Sequence, residues 1–202
     1  MACETSLAGN MEILHGPRGW FTARRSCFTL ARASGPLVRA GFGIAFRIGH
    51  RRILHGIPSS YGGRLAAANL AWERLDLALN VLHEHDRRQY HAVRTRLKAI
   101  LIGGSTRTRR VYYMAPAQAC VFTPAYFADT ASPTWLAGTL VHEMTHARLH
   151  TMGFEYAGES IRRIERICTR QQLAFVQRVP GSELESTHLS NVMAAWRAPQ
   201  RR

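Results

Sequence analysis

Lysine is almost missing from this chain. Lys98 is the only one among 27 basic residues, and 13 acids oppose them, leaving a formal charge of +14 over 202 residues. Acids are absent altogether between Ile13 and Trp72. A charge of this size suits anionic partners such as nucleic acid or a membrane surface. Nucleic-acid footprints, however, cluster on one face or along one helix, and here the arginines run through the whole chain. A coding bias towards arginine accounts for the skew, and nucleic acid is not the expected partner. Cysteine is scarce too. Cys3, Cys27, Cys120 and Cys168 form no C-x-x-C pair in a chain too long for a small disulfide scaffold, so free thiols are expected. Cys168 is a ligand only if it faces a metal; otherwise it is a small buried side chain. Long apolar runs are also lacking. Pro36 to Ile48 is interrupted by Arg39 and Arg47, short of the roughly 18 uncharged residues of a membrane span. No uninterrupted apolar core precedes a cleavage-like site, which argues against a secretory signal. The expected location is cytoplasmic.

Against these absences stands an apolar content of 46%, enough for a core. Residues 1–60 read as a basic, poorly ordered segment, with a targeting role or peripheral membrane contact as the functional alternatives. Tyr61-Gly62-Gly63 is a turn that opens the compact domain, residues 61–202. Leu65, Trp72, Leu75, Leu79 and Leu82 recur at helical spacing and predict a helix over 64–84. A second helix is expected over 87–100, with Tyr90, Val93, Leu97 and Ile100 inward. His83-Glu84-His85-Asp86 is a polar helix end, because residues two apart on a helix diverge by about 160°. Arg110–Met114 and Gln118–Thr123 are rich in β-branched and aromatic residues and predict two antiparallel strands. Ser160 to Gln177 reads as a helix. Ser182 with Glu185 forms a capping box that opens a last helix to about Trp196.

The stretch from Trp135 to His150 organises the rest. Inside it lies His142-Glu143-Met144-Thr145-His146, an H-E-x-x-H pattern. Residues four apart stack one turn above the other on a helix, so His142 and His146 can offer two imidazoles to one Zn²⁺ ion. Glu143 lies about 100° round from His142 and can reach a metal-bound water without ligating the ion. Leu136, Leu140, Met144 and Ala147 form an apolar stripe on the other side. Ser132-Pro133-Thr134 supplies a helix start and Gly153 a stop. With this His and Glu content the motif arises by chance in roughly two chains per hundred of this length. Helical phase, caps and a downstream acid are therefore part of the argument.

A third ligand must follow Gly153. Glu165 sits at the edge of an apolar arc with Ile161, Cys168 and Gln172, while Arg162, Arg163, Arg166 and Arg170 fall on the solvated side. A carboxylate half-embedded in an oily face needs a partner, which a metal or an arginine supplies. Glu159 and then Glu155 are the competitors. His150 continues the column from His146 but stands about 12 Å from His142 along the helix, too far to share one ion. Tyr156, His150 and His188 are candidate oxyanion donors.

Residues 98–178 resemble the zincin metallopeptidases, and within them the gluzincins, whose third ligand is a glutamate on the next helix. Thermolysin-like enzymes and bacterial anti-repressor peptidases share that layout. The resemblance implies an α+β fold, mostly helical, with a small antiparallel sheet beside the motif helix. It implies His142, His146 and Glu165 as zinc ligands, Glu143 as general base, and a peptide substrate paired along Ala119–Thr123. The metzincin extension is absent, with Leu149 where its glycine belongs. Position 169 is Thr, so the thermolysin-type supporting Asp is missing. Two other readings stay open: a non-catalytic, metal-stabilised interaction module, and a basic nucleic-acid or phospholipid binder with an accidental motif.

Overall fold

A computed structural model describes residues 41, 43–44, 46–104, 111–128, 132–158 and 160–196. The expected basic segment before residue 41, Arg110, Glu159 and the C-terminal tail lie outside the described residues. The fold is α+β. Strands β1 (His50–Leu54) and β2 (Ile57–Tyr61) lead into helices α1 (Leu65–His85) and α2 (Arg87–Arg96). Strands β3 (Ala99–Ile102), β4 (Val111–Met114) and β5 (Ala119–Phe122) follow, then the single turn α3 (Ala125–Ala128). Helices α4 (Pro133–Thr151), α5 (Ser160–Val176) and α6 (Glu183–Ala195) complete the chain.

The sheet is larger than expected, and mixed rather than antiparallel. Its order is β1-β2-β3-β5-β4. β1–β2 and β4–β5 pair antiparallel, as expected for the latter, while β2–β3 and β3–β5 pair parallel. The hairpin β1–β2 starts at His50, inside the segment that the sequence sets apart at residue 60. His55 and Gly56 at its tip have φ of 51° and 84°, the two positive angles of a type I′ turn. His55 Nδ1 lies 2.8 Å from the Tyr90 hydroxyl, which pins the tip to α2. The expected second helix stops at Arg96, and Ala99–Ile102 becomes a central strand. Ile100 is inward as expected, but as strand core: it is sealed from water between β2 and β5.

The core lies where α1 and α4 meet each other and the sheet. Trp72, Leu75, Leu79 and Leu82 are buried there as expected, whereas Leu65 is exposed. Trp72 donates its indole N–H to Ser59 on β2 at 3.1 Å. Asp86 ends α1 and caps α2 by accepting from Gln89 N at 3.0 Å. The Ser182–Glu185 box does not form. Ser182 instead donates to the carbonyls of Val176 and Val179, and Glu185 accepts from Ser132 at the start of α4. The start of α4 thus takes the carboxylate that the box would have used. No helix among the described residues is long and apolar enough to cross a membrane.

Candidate metal centre

Helix α4 begins as expected, with Ser132 Oγ accepting from Trp135 N at 3.0 Å and Pro133 in the first turn. It ends at Gly153, whose φ of 82° only glycine takes readily. The expected apolar stripe of Leu136, Leu140, Met144 and Ala147 is buried. So is the opposite face, because α5 lies across it. His142, Glu143 and His146 are 2%, 1% and 6% exposed. Gly138 is the point of closest approach: a Cβ there would stand 3.0 Å from Val176 Cγ2 and 3.2 Å from Gln172 Cγ.

That approach brings the expected donors together. The two Nε2 atoms of His142 and His146 are 3.2 Å apart. Glu165 straddles them, with Oε2 at 3.4 Å from His142 Nε2 and Oε1 at 3.4 Å from His146 Nε2. An ion with tetrahedral ligands at about 2.0–2.1 Å has donors separated by about 3.3–3.4 Å. The two imidazole nitrogens have close to the separation of two corners of such a shell, and each Glu165 oxygen stands at that separation from one of them. Cys168, one turn beyond Glu165, joins them: its sulfur and the ligand nitrogens of His142 and His146 all lie within 4.8 Å of one another. The buried group of His142, His146 and Cys168 can hold a metal ion.

Two further residues fix the donors. His142 Nδ1 lies 3.1 Å from Gln172 Oε1. With the proton on Nδ1, the amide oxygen accepts it and the Nε2 lone pair faces Glu165. The Tyr156 hydroxyl donates to Glu165 Oε1, and its ring meets His146 edge-on at 5.5 Å. Sequence reading left Gln172 without a role. Its signal was its place on the same arc as Glu165 and Cys168. Position 169 carries a buried Thr, so support for His142 comes from an amide one turn further along α5.

Glu143 is buried beside His142 on α4, within electrostatic reach of Tyr126. Thr139 spends its hydroxyl proton on the Trp135 carbonyl at 2.9 Å, so Tyr126 donates to Thr139 at 2.7 Å. The Tyr126 phenol is pushed up to about 12 by burial, with the Thr139 bond opposing and the Glu143 charge adding to the rise.

The other expected candidates fall outside this group. Glu155 and His150 are exposed. His188 packs edge-on against Trp135 at 5.4 Å. His85 ends α1 beside Glu84, and His83 meets the Tyr90 ring edge-on. Pairing of a peptide along Ala119–Thr123 is ruled out for the β5 part of that stretch, because β5 is bonded on both sides, to β3 and β4. The edge beside α4 is β4. No family model, curated protein or solved structure matches this chain.

Proposed function

We propose that the chain is a zinc-dependent metallohydrolase that cleaves peptide bonds. The observation that carries this reading is the buried pair of His142 Nε2 and His146 Nε2, 3.2 Å apart, bridged by the Glu165 carboxylate with one oxygen 3.4 Å from each ring nitrogen. Two imidazoles and one carboxylate match the protein ligands of zinc hydrolases. Zinc there supplies Lewis acidity and lowers the pKa of a bound water towards about 7. Gln172 orients the His142 ring, and Tyr156 orients the Glu165 carboxylate. Glu143, adjacent to His142 in sequence and enclosed by protein, would accept the proton of the attacking water and return it to the leaving amine. Strand β4 is the sheet edge next to α4, and an extended peptide adds to it by backbone pairing.

The test is Glu143→Gln in the full chain. Zinc, measured by elemental analysis, should stay at one ion per chain, while cleavage of an unstructured protein substrate falls by at least about a thousandfold, within the range expected of general-base and positioning losses. His146→Ala should lose the zinc. Cleavage that survives Glu143→Gln, or zinc that leaves with it, would count against the assignment.

The second reading, a metal-stabilised module without turnover, is favoured by burial. His142, His146, Glu165 and Cys168 are at most 6% exposed. It predicts the same zinc content with no cleavage by the unaltered chain.

A further inference from the structure

We infer that Cys168 is a fourth protein ligand, and that the resting ion sits in a closed shell of His142, His146, Glu165 and Cys168. This rests on the metal-site reading above and extends it to how the site is kept silent.

The topology supplies two facing pairs. His142 and His146 are one turn apart on α4; Glu165 and Cys168 are one turn apart on α5. Side chains at these spacings share a helix face, and the two helices pack closely at Gly138. Each helix therefore turns two donors towards the other: Glu165 has an oxygen 3.4 Å from each ring nitrogen, and the Cys168 sulfur lies within 4.8 Å of both. A Zn–S bond of about 2.3 Å and Zn–N bonds of about 2.0–2.1 Å place sulfur and nitrogen about 3.6 Å apart in a tetrahedron. The observed separations, within 4.8 Å, have to close by up to about 1.2 Å to reach that tetrahedral spacing.

Burial points the same way. Cys168 is 0% exposed, Glu165 4% and His142 2%. A catalytic zinc keeps one position open to water, whereas four protein donors describe a closed site. In this arrangement turnover requires the sulfur to give up its place to water. The thiolate also biases the site towards softer cations, since sulfur ligands select them over oxygen-preferring ions.

Cobalt(II) reports the ligand set without any need for activity. The full chain, loaded with one equivalent of Co²⁺, should show visible d–d bands of a four-coordinate ion and a near-ultraviolet thiolate-to-cobalt charge-transfer band. Cys168→Ser should keep the visible bands and lose the charge-transfer band completely; Cys120→Ser should keep both. Visible bands without charge transfer in the unaltered chain would overturn the fourth ligand and leave the metal site standing. So would a charge-transfer band that survives Cys168→Ser. If Cys168→Ser does not fold, survival of the band in a Cys3→Ser/Cys27→Ser/Cys120→Ser triple variant, which keeps Cys168 alone, supports the assignment, and its loss there overturns it. Failure of the unaltered chain to bind cobalt by equilibrium dialysis would remove both readings together.

Discussion

Gln172 carries more of this site than its neutral side chain suggests. It touches no ion in the proposed shell, yet its Oε1, 3.1 Å from His142 Nδ1, accepts a proton held there and so favours the tautomer that leaves Nε2 for a metal. Replacing it with Leu should weaken zinc binding by about 10–100-fold, the usual cost of removing such a support, measured by competition with a chromophoric chelator. Glu165→Gln should weaken it further while leaving the helices in place, because Gln fills the same volume beside Tyr156. Tyr126 gives a prediction in pH. Its folded-state pKa of about 12 lies above the ordinary value of 10.0, so the folded chain holds the proton more tightly than the unfolded one. The resulting stability is fully present below pH 10 and is lost as pH rises towards 12. At most it amounts to about 3 kcal/mol. Urea unfolding at pH 9 and pH 11.5 should show a smaller decline for Tyr126→Phe than for the unaltered chain.

Among the elements, the contact of α4 with α5 is set by a missing side chain. Gly138→Val inserts atoms where Val176 and Gln172 already stand, and should cost about 1–3 kcal/mol in chemical denaturation. A parallel loss of zinc affinity is expected, because Gln172 has to move. Legibility differed sharply between elements. Helices α4 and α5 were plain from spacing, cap and charge segregation, and the arc that held Glu165 also held Gln172 and Cys168. Strands β4 and β5 were plain from β-branched and aromatic content. The hairpin at 50–61 was not, because β1 faces solvent at four of its five positions and shows no alternation to read. Ala99–Ile102 continued the helical spacing of Val93 and Leu97. A four-residue apolar run fits a buried strand and a buried helix equally, and only parallel pairing with β2 and β5 settles it. The edge position of β4 was likewise beyond local pattern, since strand order is a property of the whole sheet.

For the molecule as a whole, the proposed ion and the fold stabilise one another. Zinc at a hundred times its dissociation constant adds about 2.7 kcal/mol, which for a domain of this size raises Tm by about 5–10 °C. Chelation with EDTA should remove that increment, and calorimetry with and without one equivalent of zinc measures it. The effect follows from where α4 lies: 13 of its 19 residues are buried, among them both histidines and Glu143. The helix that bears the chemistry is thus also the central beam of the building. Drift in its sequence is checked on every side by neighbours that cannot yield. Room for substitution lies instead at the periphery, in the half-covered side chains of Tyr112 and Met114 on β4 and in the open turn after Thr151. Changes there would retune the proposed peptide pairing without touching the frame.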